Sequence, residues 1–123
     1  MGEDVHSKVQ GVLERGLSEE AGTVGMAGAL TELRRFIDEG IDGSGETLER
    51  WERIGVVVEV CTSSIEHGSK RESVRAFLRQ LSEELKATFA EAEGTSERRA
   101  RLLWWLWRVV RFDIDSGSGR LYE

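Results

Sequence analysis

Apolar residues recur at intervals of three and four along most of this chain, and that spacing places them on one face of an α-helix. The pattern occurs in five segments, most of which are separated by stretches that contain glycine. The chain has 14 glycines and no proline in 123 residues, which suits helices joined by glycine-containing turns. A chain of this length buries about two thirds of its unfolded surface in one domain. We therefore predict an all-α fold, a single compact bundle of about five helices.

The third segment contains the most ambiguous stretch, VVVEV at residues 56–60. β-Branched residues favour strands, but the helical spacing continues through both flanks, so we predict a helix there. The fourth segment begins with Ser69 and Glu72. This pairing is typical of a capping box, in which each side chain accepts a hydrogen bond from the backbone amide of the other residue. The predicted core of the bundle consists of Leu33, Phe36, Trp51, Val58, Phe77, Leu81, Leu85, Leu103 and Leu106.

The end of the chain carries a weaker pattern. Apolar and polar residues alternate after Val110, and a Ser-Gly-Ser-Gly sequence follows. That arrangement is consistent with a short C-terminal β-hairpin or with a frayed end. We expect a helical domain over residues 1–115 and a flexible C-terminal tail over residues 116–123.

Residues 98–112, RRARLLWWLWRVVRF, contain three of the four tryptophans and five arginines. We predict that one side of this helix faces the core and that the other side binds a partner, because tryptophan and arginine often dominate the energetics of protein interfaces. The predicted core side is Leu103, Leu106, Trp107, Val109 and Val110. The predicted partner-binding face is Arg101, Trp104, Trp105, Arg108 and Arg111.

Other kinds of partner are also compatible with this segment. It is too short to cross a membrane, because the apolar run at residues 102–107 gives about 9 Å of helix against a hydrocarbon core of about 30 Å. A helix lying on a membrane surface stays open, since tryptophan and arginine suit the headgroup region. Single-stranded nucleic acid can stack on such aromatics, but the net charge of −6 makes nucleic acid an unfavoured partner.

The sequence contains no recognisable catalytic or metal-binding motif, whether phosphate-binding loop, nucleophile elbow or paired cysteines. The two histidines, His6 and His67, lie far apart along the chain. Cys61 falls on the apolar stripe of the third segment, where a small buried residue is expected. We therefore predict a protein that is not an enzyme and has neither a cofactor nor a metal site. A single cysteine fits a reducing compartment, so we expect the cytoplasm, with the nucleus as an alternative.

The stretch ETLERWERIG, followed by EHG and SVRAFLRQLSEEL, resembles the middle of betaretroviral Gag matrix domains. Trp51, Arg53, Ile54 and Gly55 match the Trp-(Lys/Arg)-Arg-(Val/Ile)-Gly signature of that family, and the resemblance covers approximately residues 9–90. It implies a viral, all-helical assembly module that lies beneath a membrane and self-associates. The same residues more weakly resemble the death-motif helix of Bcl-2 family proteins, which implies a groove that captures a partner helix. By packing alone, the motif is expected to supply a core tryptophan and a small residue where two helices cross.

These features together predict a non-catalytic helical module that binds or assembles proteins. It would act as a homo-oligomer or by capture of a partner protein, and the sequence leaves both of these modes open.

Overall fold

The computed structural model describes residues 3–40, 48–64, 70–91 and 96–118, and all regular structure in these residues is helical. The five α-helices are α1 (Glu3–Leu17), α2 (Gly22–Glu39), α3 (Arg50–Ser64), α4 (Arg71–Glu91) and α5 (Ser96–Ser118), and one turn of 3-10 helix at Glu19–Ala21 joins the first two. The predicted all-α bundle of five helices is confirmed.

Helix α3 lies at the centre of the bundle and contacts each of the other four helices. Most of its circumference is buried, at Ile54, Gly55, Val56, Val57, Val58, Val60 and Cys61. A helix that is apolar on all sides has to be buried on all sides. The VVVEV stretch is therefore helical, as predicted, and its β-branched residues reflect burial at the centre of the bundle rather than membership of a sheet.

Glycines allow close approach at two helix crossings. Gly16 of α1 is buried against α2, where a Cβ atom on this residue would overlap the side chain of Ala29. Gly55 of α3 lies beneath the indole of Trp105 from α5, and a Cβ atom there would overlap the ring. At both crossings the observed contact therefore requires a residue without a side chain.

Cationic side chains bind the carboxyl-terminal ends of two helices. Lys70, just before α4, donates from Nζ to the carbonyl oxygens of Gly16 and Ser18 at 2.6 and 2.7 Å. Arg53 of α3 donates to the carbonyl oxygen of Ile37 at 2.8 Å. The last carbonyls of a helix have no partner within the helix and carry partial negative charge. These contacts therefore stabilise the ends of α1 and α2 and join them to the next elements.

The predicted core is correct in all but one residue. Six of its members are buried, namely Leu33, Phe36, Val58, Phe77, Leu81 and Leu85. Trp51 and Leu106 are partly buried and pack against the same core. The assignment of Leu103 to the core is wrong, because this side chain is 53% exposed. The cause is the rotation of α5 about its own axis.

Helix α5 is longer than the sequence pattern predicts. It continues to Ser118, three residues past the predicted domain boundary at residue 115, and residues 110–118 are helical rather than part of a hairpin. Contacts with α4 continue along this end of the helix, because Phe112 is buried and Asp113 binds two arginines of α4. Outside the described residues lie Ser69 of the predicted capping box, His67 and residues 119–123.

Candidate interaction surface on the last helix

Helix α5 packs against α3 and α4 through one apolar face. The residues that it buries there are Leu102, Trp105, Val109 and Phe112. Their spacing of three and four is that of a single helix face. Trp105 lies at the centre of this contact and is only 3% exposed. Its ring lies against Gly55, and the distance between its centroid and that of Trp51 is 5.7 Å.

The predicted division of this helix into two faces is therefore wrong for two of its tryptophans, Trp105 and Trp107. Trp105, predicted to be part of an exposed partner-binding face, is buried in the core. Trp107, predicted to be buried, is 49% exposed. The segment is apolar on both sides, so the spacing of apolar residues does not determine which side faces inward. The space above Gly55, which accepts the Trp105 ring, determines it.

Arg108, another predicted partner-binding residue, is held by the end of α3. Its guanidinium donates to the hydroxyl groups of Thr62 and Ser63 at 3.0 and 2.7 Å. It also donates to the carbonyl oxygen of Glu59 at 3.4 Å. A cation is favourable near the carboxyl-terminal end of a helix. Arg108 therefore stabilises the packing of α5 on α3.

Arg101 also contacts α3 rather than standing free at the surface. Its guanidinium lies 3.4 Å from the carboxylate of Glu52. It is 5.1 Å from the ring centroid of Trp51 and 5.2 Å from that of Trp105, within the range of a cation–π contact. Arg101 and Arg108 therefore mark the border of the buried face and not the centre of the exposed one.

The side of α5 that faces away from α3 and α4 is apolar as well. It presents Leu103, Trp104, Trp107, Val110 and Ile114, each between 49% and 60% exposed. We call these five residues the outer face of α5. The rings of Trp104 and Trp107 stack, with centroids 5.3 Å apart and an interplanar angle of 21°. The predicted partner residues Trp104 and Arg111 do belong to this side, and the Arg111 guanidinium lies 5.5 Å from the centroid of Trp107.

The outer face is comparable in area to the largest apolar patch of a typical monomer. Its partly exposed side chains offer about 500 Å² of apolar surface, and the largest patch on a typical monomer is about 300–600 Å² and often functional. The other large apolar residue that is exposed in the described part of the chain is Val24 of α2. A single exposed residue of that kind is ordinary. The contiguous strip on α5 is therefore the feature that calls for a functional explanation.

Sequence reasoning did not assign four of the outer-face residues to the partner surface. These are Leu103, Trp107, Val110 and Ile114. A signal for them is present in the sequence, because they follow one another at intervals of four, three and four. The same stretch also contains a second apolar stripe, the one that is buried, and the two stripes are equally regular.

The four residues that match the matrix signature lie in the first turns of α3, which packs against both α2 and α5. Ile54 and Gly55 are buried, and Arg53 binds the end of α2. Trp51 is partly buried beneath guanidinium groups from α5. Their contacts are those of a packing motif, which was one of the two roles predicted for them.

Two ionisable groups near α5 have shifted pKa values. The carboxylate of Asp113 accepts hydrogen bonds from Arg75 and, at 3.1 Å, from Arg79. The hydrogen bond from Arg75, assisted by the positive charges of both arginines, holds the pKa of Asp113 below its usual range. Burial raises the pKa of the Cys61 thiol to about 12. A thiol of this kind is protonated and unreactive, so Cys61 serves as a small core residue.

A groove of about 290 Å³ adjoins the outer face and is lined by Glu59, Glu97, Ala100, Arg101, Trp104 and Trp105. It carries charges of both signs. In the described ranges, no group of three or more histidine, cysteine or acidic residues is placed to hold a metal ion. None of the described helices is long and apolar enough to cross a membrane.

No family model, curated protein or solved structure matches this chain. The resemblances to matrix domains and to the Bcl-2 family therefore stay predictions from the sequence.

Proposed function

We propose that this chain is a non-catalytic helical module that binds protein through the outer face of α5. The observation that carries the proposal is a continuous apolar strip on a helix whose opposite side is already packed in the core. Stacked tryptophans bordered by arginine are the residue types that most often dominate binding energy at protein interfaces. Assembly in a reducing compartment, the cytoplasm or the nucleus, is part of the same proposal.

The charges around the outer face favour a protein partner over nucleic acid or an anionic membrane. Arg101 contacts Glu52, and Arg108 donates its hydrogen bonds to α3, so both guanidinium groups are directed into the chain. The protein as a whole carries a net charge of −6, which opposes long-range attraction to phosphate groups. The apolar strip therefore provides more of the binding energy than the charges do.

Replacement of Trp104 and Trp107 by serine tests the proposal. Both side chains are about half exposed, so we expect the double variant to fold and to melt within a few degrees of the parent. Association with protein should be lost, since a hot-spot tryptophan contributes about 2 kcal/mol or more, equivalent to about thirty-fold in affinity for each residue. Light scattering measures self-association, and quantitative capture from source-cell extract measures binding of other proteins.

Val24→Ser is the matched control, because it removes an exposed apolar side chain from α2 and should leave association unchanged. Flotation with anionic vesicles and binding of single-stranded DNA are measured on the same three proteins. Retention of protein association by the Trp104 and Trp107 double variant would refute the proposal. So would a parent that binds vesicles or single strands but no protein.

A further inference from the structure

We propose that the partner of the outer face is a second copy of this chain and that the two α5 helices pack antiparallel. This inference rests on the proposed function and names the occupant of the same surface. Four residues of the outer face, Leu103, Trp107, Val110 and Ile114, follow one another at intervals of four, three and four. These intervals are those of the a and d positions through which two helices pack. The seam continues for about three turns on one exposed side of α5.

Helix α5 is covered by fewer neighbouring helices than α3 is. Both helices are apolar around most of their circumference in their central turns. Helix α3 has neighbours on four sides, whereas α5 packs on α3 and α4 and on no other described helix. A helix that is apolar all round is stable when it is buried all round. A further helix, from outside the described part of the chain, is therefore the cover that α5 requires.

The side-chain volumes of the seam fit a second α5 in the antiparallel orientation. With a two-fold axis between residues 108 and 109, Trp107 of each copy faces Val110 of the other, and Leu103 faces Ile114. Large residues then pack against small or medium ones, as dense packing requires. A parallel pair in register would place Trp107 against Trp107 and Val110 against Val110. One layer would be overfilled and the next would be left with a void.

The charges of α5 favour the same orientation. Arg99 is exposed near its amino-terminal end, whereas Arg98 and Arg101 are directed toward α3, and no lysine or arginine follows Arg111 in the helix. Parallel pairing would bring the Arg99 side chains of the two copies to the same end of the dimer. Antiparallel pairing places each Arg99 near the other helix's carboxyl-terminal end, which carries partial negative charge. In this register Arg111 also lies within about 3 Å of axial rise of Trp104 in the second copy, close enough for a cation–π contact between copies.

The size of the surface suits a small two-fold interface. The outer face alone contributes about 500 Å² of apolar surface, more than half of the roughly 800 Å² per partner that is typical of specific complexes. A two-fold contact uses the same surface on both copies. The alternation of side-chain size and the position of Arg99 therefore make α5 complementary to itself in the antiparallel orientation.

Disulfide formation across the seam tests both the partner and its orientation. The variants Leu103→Cys and Ile114→Cys are treated with oxidised glutathione, separately and as an equimolar mixture. In the proposed register, residue 103 of one copy faces residue 114 of the other, so the mixture forms a covalent dimer. Like positions lie about 16 Å apart along the helix axis, whereas a disulfide spans Cα atoms up to about 7 Å apart. Neither variant should therefore crosslink alone.

The parent chain serves as the control for this crosslinking, because its own Cys61 is buried and should give no covalent dimer. Sedimentation equilibrium measures the association without crosslinks. We expect Trp107→Ala to raise the dissociation constant of the dimer about thirty-fold or more. Val24→Ala should leave the dissociation constant unchanged.

Efficient crosslinking of Leu103→Cys alone would overturn the antiparallel orientation. A parent that stays monomeric up to high micromolar concentration would overturn the second copy as the partner. If that monomer still captures another protein in a manner that depends on Trp104 and Trp107, only the second-copy inference fails. If such capture is absent as well, the proposed protein-binding function fails with it.

Discussion

The fit between Gly55 and Trp105 can be tested by the addition of one methyl group. In most helix interiors, replacement of glycine by alanine stabilises the fold by about 1 kcal/mol. At Gly55 the new Cβ atom would overlap the Trp105 indole, a rigid ring that is only 3% exposed. Overpacking of a core costs up to about 3 kcal/mol. We therefore expect Gly55→Ala to lower the free energy of unfolding by about 2 kcal/mol net.

A second substitution removes the obstruction. Trp105→Leu should itself destabilise the fold by about 2–3 kcal/mol, somewhat less than truncation to alanine. In this background Gly55→Ala has room for its methyl group, so the helix-propensity gain of about 1 kcal/mol should return. Gly28→Ala is the matched control, because Gly28 lies within α2 and its Cβ atom would have no neighbour within 4 Å. It should stabilise both backgrounds equally.

Urea unfolding followed by far-ultraviolet circular dichroism gives the free energy of each variant. All proteins are compared at one concentration, because association of folded chains adds a concentration-dependent stability. The double-mutant cycle should give a coupling energy of about 2–3 kcal/mol between Gly55 and Trp105. If Gly55→Ala stabilises the parent as much as Gly28→Ala does, Trp105 does not pack on Gly55. The assignment of the inner and outer faces of α5 would then be wrong.

Two further predictions concern ionisable groups. Hydrogen bonding from Arg75 holds the pKa of Asp113 below its usual range, so the ionised carboxylate stabilises the folded state. This contribution to the free energy of unfolding is complete above about pH 4, where an ordinary aspartate ionises. It is lost as the pH falls through the folded-state pKa. Asp113→Asn should therefore lower the urea midpoint near neutral pH but not in strong acid, and a difference independent of pH would contradict the pairing. For the buried Cys61, whose pKa is about 12, Ellman's reagent at mildly alkaline pH should react on the order of a thousand times more slowly with the folded than with the unfolded chain. Equal rates would mean that the thiol is accessible.

The positions of the helices could be predicted because the spacing of apolar residues is a local property of the sequence. Helix α4 is the clearest example. Its buried residues are Val74, Phe77, Leu78, Leu81 and Leu85, and all of them lie on the one apolar stripe that the sequence contains there. With charged residues on the remaining sides, only one rotation of this helix removes the apolar stripe from water.

The rotation of α5 could not be predicted in the same way. Leu102 and Leu103 are equally apolar neighbours, yet one is buried and the other exposed, because two apolar stripes compete for the core. The competition is decided by a contact between distant parts of the chain, the placement of the Trp105 ring on Gly55. The assignment of Arg108 to the exposed partner-binding face was wrong for a related reason. Its long side chain reaches across to α3, so its charge lies beside the buried face rather than opposite to it.

The central position of α3 has a consequence for the chain while it is only partly folded. Residues 56–61, VVVEVC, combine β-branched side chains with a single charge and no proline, which is the composition of segments that form cross-β aggregates. They are kept helical by four neighbours, and the last of these, α5, begins at Ser96. A nascent or truncated chain that ends before α5 therefore leaves one side of this segment in water. Detachment of the last helix would convert the best-protected part of the molecule into its most aggregation-prone part.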